Sequence, residues 1–539
     1  GFDGKMLDAF GETAIKAFVQ EAVNEALRLE HALKTLETER TVVVDTWMQM
    51  PGTSLRWGTL AAPIEFGRVR TDEAGLPERM PGLDIVYRET SPCGASTRLG
   101  LMTMADGITE MYGRTPQHDH TLAVGPKAGD TVLFFSREVT DLHVGDTIAL
   151  PSMQYSGTAG EDPQYLGPTN FWNTLVSGVG TGFPGDKEQP AIKPPGRYRI
   201  YKLSRDEERR IVAVDYDKRT ITVERGLEYA HPHLDDVLPD GTPVYVRAYV
   251  TRQNWPIRHR SYDPSERHRI GHTMFMHSDH VIRHGVEFLN MGRTFVDPSL
   301  TTPNSNLLYE VINGLKGPNQ LGNPDNVRGR YACHDHGAGA FYWRKPTIVY
   351  RCTARWQRKY NPGGWGFTSH GARMNMHECN ANGFRGACFV WEAGREIGDA
   401  VRLNGSYARG DGFLAGPQSR PEWIENHNGS SGVIFECQAR SVLFRECRAH
   451  GGRWAWLYVK QTSAKLTRIP DPKSIRAMDP VTQGGKDGNV AEDNNTYGEE
   501  QEQILFWLTN IAIDCVTGLE VGHRQFTDRE DTTPFVSDG

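Results

Sequence analysis

The chain has 539 residues, of which 57 are glycine and 31 are proline, and its formal net charge is −7 at pH 7. This glycine content lies above the average of about 7% and disfavours a helical bundle, whereas it favours a fold with many turns. The acidic balance excludes a general nucleic-acid binder, which would carry a basic surface. No apolar run approaches the roughly 20 residues of a membrane helix, and the eight cysteines form no CxxC pair that would indicate a zinc ribbon or a thioredoxin motif.

The range 1–40 carries the only long helical pattern in the sequence. Apolar side chains recur there at alternating spacings of four and three, as in a heptad seam. We predict an amphipathic helix over 1–40, which either packs on its own chain or associates with further copies. The seam consists of Ile15, Val19, Ala22, Ala26, Leu29, Leu33 and Leu36.

Two regions without helical periodicity follow this helix. Residues 41–118 are mixed in character and interrupted by Pro-Gly turns, and they predict a small separate region. From 119 to 254, short β-runs such as Thr147–Leu150 and Val244–Val250 are bounded by Gly, Asp or Pro. This pattern is typical of a β-rich domain.

Between 346 and 454 the sequence repeats itself. The segments IVYRCTAR (348–355), MNMHECNA (374–381), VIFECQAR (433–440) and VLFRECRA (442–449) each end a short β-run with Cys, a polar residue and Ala. The spacing of Cys352 and Cys379 falls within the repeat length of solenoids, which is about 20–50 residues. VRLNGSYA (401–408) is interpreted as a variant with Gly at the cysteine position.

The fold predicted from these repeats is mainly β. Stacked coils bring equivalent residues into interior ladders, so the cysteines are expected in the core rather than in catalysis or metal binding. The short gap between Cys437 and Cys447 fits two sides of one coil better than two successive coils. We predict a right-handed parallel β-helix, a pectin-lyase-like solenoid, over 255–460, followed by C-terminal coils and a tail over 461–539.

Seven segments follow one another in a recognisable order. They are VGDTIALPS (144–152), RRIVAVD…TITVERGLEYAHPH (209–233), VRAYVTRQ (246–253), GHTMFMHSDHVIRHGVEFLNMGR (271–293), GRYACHDH (329–336), GFTSHGARMNMHECNANGFRGACFVWEAG (366–394) and VIFECQARSVLFRECRAHGGRWAWLYV (433–459). In order and content, the stretch over about 120–460 resembles the cell-surface hyaluronidase and cell-migration-inducing hyaluronan-binding protein family. The resemblance implies an eight-glycine domain at 119–254, a right-handed parallel β-helix after it, and a glycan-processing activity.

GRYACHDH is the most specific of these segments. The family typically has Gly-Arg-Tyr-Pro-Ile-His-Phe-His there, so that His334 and His336 match and Asp335 departs from the pattern. Alternate residues of a β-strand point to the same face, and we therefore expect the two histidines to project together and Asp335 to point away. Two other departures from the family are Ala387 and Ala393, which replace a histidine and an aspartate.

The predicted site lies on one face of the solenoid around this strand. Hydrolysis of a glycan requires two carboxyl groups, whereas elimination requires a base such as His or Tyr and a cation beside the sugar carboxylate. The catalytic candidates are His334, His336, Glu392 and Tyr331, and the substrate-binding candidates are Arg330, His370, Trp365 and Trp391. Trp356, Trp454 and Trp456 are additional candidates for stacking on a sugar, and Arg351, Arg355, Arg358, Arg373 and Arg385 for attracting an acidic one. No metal-ligand set is identified, and a divalent cation stays open as a cofactor.

Two functions follow from these features. The first is an extracellular β-helix protein that binds and degrades a polysaccharide, acidic or neutral, as a glycoside hydrolase or a polysaccharide lyase. The alternative is a non-catalytic virion tail spike or fibre, or a surface adhesin, in which the β-helix is a structural or receptor-binding body. In that case the helix over 1–40 supports a homotrimer. The departures from the family at Asp335, Ala387 and Ala393 then reflect a loss of catalytic activity. Both functions place the protein outside the cell or on a virion or cell surface, with a polysaccharide as the partner.

Overall fold

The computed structural model describes residues 40–50, 52–88, 99–103, 107–153, 205–237, 241–265, 269–278, 280–294, 329–339, 346–357, 364–384, 386–392, 397–406, 433–437, 441–452, 454–459, 506–515 and 517–522. Within these ranges the regular secondary structure consists of 36 β-strands and no α-helix. The helix predicted over 1–40 lies outside the described residues except for Arg40, which is the first residue of a strand. Nothing helical in the described part of the chain has the length and apolar character needed to cross a membrane.

Three parallel sheets stack coil upon coil into a parallel β-helix, which confirms the predicted solenoid. Sheet A contains β1 (Arg40–Val44), β6 (Leu83–Tyr87), β17 (Ile257–Ser261), β20 (Val286–Leu289), β23 (Thr353–Arg355), β26 (Asn380–Asn382), β29 (Asn404–Ser406), β32 (Arg448–His450) and β35 (Ile511–Ile513). Sheet B contains β2 (Thr46–Gln49), β7 (Gly100–Thr103), β18 (His272–Met276), β21 (Cys333–Gly339), β24 (Trp365–Ala372), β27 (Ala387–Glu392), β30 (Val433–Cys437), β33 (Trp454–Val459) and β36 (Thr517–Gly522). Sheet C contains β3 (Ser54–Trp57), β8 (Ile108–Tyr112), β19 (His280–His284), β22 (Thr347–Tyr350), β25 (Met374–His377), β28 (Ile397–Val401), β31 (Ser441–Arg445) and β34 (Phe506–Leu508).

An antiparallel domain is inserted between the second and third coils. Its sheet contains β9 (Asp119–Thr121), β10 (Val132–Phe134), β11 (Thr147–Leu150), β12 (Glu207–Asp215), β13 (Thr220–Val223) and β16 (Tyr249–Arg252). Two hairpins complete the described strands: β4 (Val69–Thr71) with β5 (Pro77–Arg79), and β14 (Leu234–Val237) with β15 (Pro243–Val246). This inserted domain falls within the range 119–254 for which the sequence predicts a β-rich domain.

The described part of the solenoid already includes Arg40, which corrects the predicted start at 255. β6 pairs in parallel with β1 on one side and with β17 on the other, so the ladder runs from the second coil to the third across the insertion. The region 41–118 is therefore the beginning of the β-helix and not a separate small region. Its two coils lack the Cys-containing repeat of the later ones, and for that reason the sequence pattern does not connect them with the solenoid.

The interior of sheet B is an aromatic stack. Phe367, Phe389, Phe435 and Trp456 come from four successive coils, and their ring centroids are 5.4, 5.1 and 4.9 Å apart. All four side chains are buried in one core cluster. Stacking of this kind adds to the apolar burial that drives folding, and here it extends over β24, β27, β30 and β33.

The corner between sheets C and A repeats a left-handed backbone residue in the later coils. Arg351, Glu378, Arg402 and Glu446 have φ values of 49°, 55°, 52° and 55°, a conformation that costs a residue with a side chain about 1–2 kcal/mol. We call these four residues the charged corner. They pair in sequence: Arg351 donates to Glu378 at 2.6 Å, and Arg402 donates to Glu378 at 3.4 Å and to Glu446 at 2.8 Å.

The residue after each corner points into the core and forms the predicted ladder. Cys352, Cys379, Leu403 and Cys447 occupy it and are fully buried. Burial raises the pKa of the Cys447 thiol to about 12, so this residue is an inert core group. Leu403, and not Gly405, holds the cysteine position of VRLNGSYA, because Asn380 pairs with Asn404.

Cys437 differs from the other repeated cysteines in its position. It ends β30 in sheet B, whereas Cys447 follows β31 in sheet C, so the two lie on successive sides of one coil as their spacing predicts. VIFECQAR is therefore not equivalent to the three corner segments. The described cysteines form no disulfide.

Candidate functional site

The outer surface of sheet B carries the three histidines that the sequence singles out. β21 and β24 pair in register, with His334 opposite Thr368 and His336 opposite His370. Because Cys333 and Phe367 belong to the interior cluster, the alternate residues His334, His336 and His370 lie outside. We call these three residues the histidine face.

The three imidazoles of the histidine face lie close together. Their ring centroids are 5.2 Å apart for His334 and His336, 4.7 Å for His336 and His370, and 6.2 Å for His334 and His370. One nitrogen from each ring lies within 4.8 Å of the others. His334 is buried, whereas His336 and His370 are half-buried, so the face is accessible from one side.

A hydrogen bond fixes the tautomer of His334. Its Nδ1 lies 2.9 Å from the carbonyl oxygen of Gly329, and because a carbonyl only accepts, Nδ1 carries the proton. Nε2 is then the nitrogen with a lone pair. The neighbouring ring of Tyr331 packs against His334 at 4.9 Å and holds its orientation.

Asp335 points into the solenoid, as the alternation predicts. Its carboxylate accepts two hydrogen bonds from Arg283 of β19, at 2.6 and 2.7 Å, and both side chains are fully buried. Thr347 also donates its hydroxyl to this carboxylate. The neighbouring carboxylate raises the pKa of Arg283 against the opposing effect of its burial. Arg283 thus neutralises the carboxylate that Asp335 places in the interior of the solenoid.

Glu392 continues the ladder of the histidine face. In the register of β24 and β27, its backbone lies opposite His370, which in turn lies opposite His336. Three successive coils therefore place His336, His370 and Glu392 in one row. Neighbouring strands are about 4.8 Å apart, so the row spans a length that suits a single sugar ring or two.

The aromatic candidates lie in the core or in a buried cluster. Trp391 is fully buried and packs on Phe444 at 5.1 Å inside the solenoid, so the substrate-binding role predicted for it is corrected to a core role. Tyr331 and Trp365 are nearly fully buried, with ring centroids 4.4 Å apart, and they support His334 without offering an open ring face. Trp356, Trp454 and Trp456 are also at most 3% exposed, so none of these tryptophans forms an open stacking platform.

The arginines do not form an open basic patch where they are described. Arg351 pairs with Glu378 in the charged corner, and Arg355 pairs with Glu287 at 2.8 Å and with Glu208 at 3.2 Å. Glu287 is thus a buried ion-pair partner of Arg355, and burial raises its pKa. Arg330, which precedes Tyr331 in the chain, is half-buried, and burial lowers its pKa. Arg358 and Arg385 lie outside the described residues.

Sequence reasoning missed two residues of this surface. The ring of His277 lies 6.1 Å from that of His336, and its Nδ1 donates to the carbonyl of Gly337 at 3.1 Å. A Cβ on Gly337 would come within 2.9 Å of the His277 ring, and its φ of 59° also favours glycine. Thr368 is fully buried beside His334, and its hydroxyl has no hydrogen-bond partner among the described residues. A period of two along β24 would have identified Thr368.

A second polar cavity lies between the inserted domain and the solenoid. It has a volume of about 340 Å³, and its lining includes Asp119, His120, Arg402, Glu446 and Arg448. Two ion pairs lie in its lining: Arg448 donates to Asp119 at 2.9 Å, and Arg402 donates to Glu446 at 2.8 Å. The first pair joins the solenoid to the inserted domain, whereas the second lies within the charged corner.

Comparison with known proteins gives similarities of structure only. No family model matches the chain, and no curated protein does. The chain is similar to the tailspike protein gp49 from Pseudomonas phage LKA1, at 9% identity over 78% of this chain and 46% of that chain, with a TM-score of 0.20. The gp54 tailspike of Acinetobacter baumannii bacteriophage AP22, solved in complex with A. baumannii capsular saccharide, is 6% identical over 79% of this chain and 49% of that chain, with a TM-score of 0.21. The tailspike gp61 of Pseudomonas phage phi297 is 11% identical over 78% of this chain and 50% of that chain, with a TM-score of 0.18. The chain thus spans about half the length of the solved proteins it matches.

Proposed function

We propose that this protein is a polysaccharide-binding β-helix of a virion tail spike or fibre, and that the histidine face is its glycan-binding surface. The convergence of three outward imidazoles from two adjacent coils carries the proposal. Imidazole nitrogens donate and accept hydrogen bonds at neutral pH and can therefore bind sugar hydroxyls. A rigid sheet holds them in place before the ligand arrives, which reduces the entropic cost of binding.

Degradation of the bound glycan is the second candidate, and the row of His336, His370 and Glu392 favours it. In the described part of β21, β24 and β27, Glu392 is the one acidic residue at a register position in line with His336 and His370. Hydrolysis with two carboxyl groups therefore has less support on this surface than elimination, for which a histidine would be the base and Arg330 the cation beside a uronate. The resemblance to the hyaluronidase family stays a prediction for this chemistry.

Binding of purified polysaccharides by the full chain tests the first proposal. We expect His370→Ala to weaken the affinity for a bound polysaccharide by about tenfold or more, and His143→Ala, in the inserted domain, to leave it unchanged. Unaltered circular dichroism and thermal melting would show that both variants fold. If His370→Ala binds every polysaccharide as tightly as the parent chain, the glycan surface lies elsewhere.

Degradation is tested by measuring the chain length of the same polysaccharides after incubation with the protein. Shortening that is lost in His334→Ala and leaves unsaturated ends would support elimination, whereas binding without any shortening would support a non-catalytic spike.

Assembly into a homotrimer through residues 1–40 also stays a prediction. Sedimentation of the full chain and of a chain that begins at Arg40 distinguishes a trimer that depends on this segment from a monomer.

A further inference from the structure

The histidine face has the composition and spacing of a metal site. His334 and His336 are separated by one residue on β21, and His370 stands opposite His336 on β24. One nitrogen of each ring lies within 4.8 Å of the other two. The three ligands come from two hydrogen-bonded strands, so a rigid part of the fold fixes their positions.

We propose that His334, His336 and His370 bind one divalent cation of the borderline class, for which Zn²⁺ is the reference ion. Imidazole ligands suit Zn²⁺, Cu²⁺ and Ni²⁺, whereas Mg²⁺ and Ca²⁺ prefer oxygen. Tetrahedral Zn²⁺ with bonds of about 2.0–2.1 Å brings its ligand nitrogens to about 3.3 Å from one another. Rotation of the three side chains closes the present separations, which are at most 4.8 Å, by up to about 1.5 Å without a change in the strands.

The surroundings of the histidines fit this role. The Gly329 carbonyl accepts the Nδ1 proton of His334, and metal-bound histidines typically donate their other ring nitrogen to a carbonyl or carboxylate in this way. The bond leaves Nε2 of His334 as its ligand atom. Behind the strand, the buried pair of Asp335 and Arg283 holds β21 from the inside. The cluster is thus supported from both sides of the sheet.

Three protein ligands leave a fourth position of the cation open. Zinc sites that act on a substrate are built in this manner, with water or a substrate oxygen in the open position. The hydroxyl of Thr368, buried beside His334 and without a partner among the described residues, supplies a further polar group there. Cation binding does not depend on the proposed function. Binding of a glycan hydroxyl or carboxylate at the open position does rest on it.

Titration of the metal-stripped full chain with Zn²⁺ and Co²⁺ tests the inference. We expect one cation per chain in isothermal calorimetry, and a visible absorption band of Co²⁺ with the intensity of a four-coordinate site. His334→Ala and His370→Ala are each expected to weaken binding by about tenfold or more. His143→Ala serves as the matched control and is expected to bind as the parent chain does. Ca²⁺ and Mg²⁺ in large excess are expected not to compete.

Equal Co²⁺ spectra for the parent chain and for a variant with all three histidines replaced by alanine would overturn the inference, as would the absence of any binding. Circular dichroism of the metal-free chains shows whether each variant is folded. His370→Gln provides a second variant, with a side chain of similar size. Failure here is distinguishable from failure of the proposed function. Polysaccharide binding that persists in the absence of any cation binding overturns only the metal site, whereas cation binding without polysaccharide binding supports the metal site and contradicts the glycan surface.

Discussion

The charged corner and the histidine face are both ladders made by the coil repeat, and they differ in what adjacent residues offer each other. In the charged corner, arginine and glutamate alternate, and each side chain pairs with the next. On the histidine face, one basic group stands opposite another of the same kind. Both arrays arise from the same geometry, since a parallel β-helix stacks equivalent positions directly above one another.

This difference separates a structural array from a binding array. The alternating charges of the corner pair with one another along a bend of four left-handed residues. Imidazoles in register gain no such electrostatic benefit from their neighbours, and they repel one another when protonated. This arrangement favours a ligand that binds several imidazoles at once. The following variants test whether the paired charges in these ladders are structural.

The largest expected effect concerns the ion pair beneath the histidine face. Asp335→Ala leaves the Arg283 guanidinium buried without its carboxylate, which typically destabilises a protein by about 3–5 kcal/mol. Urea unfolding followed by circular dichroism measures this loss. The matched control is Asp263→Ala, which removes the partner of Arg269 in a more exposed pair and is expected to cost about 1 kcal/mol or less. A loss below about 1 kcal/mol for Asp335→Ala would contradict the role of this pair in holding β21.

An interior histidine provides the contrast to the outward ones in its response to pH. His259 is fully buried between the rings of Tyr87 and Phe288, and burial lowers its pKa to about 3. Its unfolded pKa is about 6.5, so its contribution to stability is complete above that value and declines as the pH falls towards 3. Between pH 7 and pH 5 the loss is about 2 kcal/mol for this residue. We expect His259→Gln to lose correspondingly less stability over this interval.

Unfolding free energies measured at several pH values decide this prediction. Above pH 7 the parent chain and His259→Gln should differ by a constant amount, because the residue is neutral in both the folded and the unfolded state. Parallel curves down to pH 5 would contradict the buried neutral state of His259.

The smallest effect is expected in the charged corner. Glu378→Arg places three arginines in succession, and we expect it to destabilise the protein by about 1–2 kcal/mol through two lost pairs and new repulsion. Glu378→Gln, which removes the charge without reversing it, should cost about half as much. Thermal melting at low salt and in about 1 M NaCl checks the cause, since screening should bring the two variants together. A difference between them that does not depend on salt would argue against electrostatic pairing as the function of the corner.

The sequence predicts the repeating part of this fold well because the same residue types recur at equivalent positions of successive coils. Cysteine recurs where small buried residues follow the corner, and the period of two correctly separates Asp335 from His334 and His336. The same period, applied to β27, would have placed Trp391 inside with Phe389. The first two coils lack the cysteine repeat, and the inserted domain separates them from the third coil, so the sequence pattern alone does not connect them with the solenoid.

Ion pairing explains the remaining differences between sequence and structure. The arginines at 351 and 355 are a basic cluster in the sequence, yet their carboxylate partners lie 27 and 68 residues away in the chain, at Glu378 and Glu287. Only the coil register brings them together. The convergence of His370 with His336 depends on the same register, and sequence spacing alone could not specify it.

The inserted domain also has a consequence for the order in which the chain folds. Leu83 of the second coil pairs with Ile257 of the third across the whole insertion, whereas Thr353 and Asn380 of later coils pair across a single turn of the solenoid. Closing the longer loop costs about 1.6 kcal/mol more chain entropy if the intervening residues are unfolded. The first and last strands of the insertion, β9 and β16, pair with each other, with Thr121 opposite Tyr249. Once this domain has folded, it holds the ends of the two coils side by side, and the slow search for a distant partner strand becomes a local one.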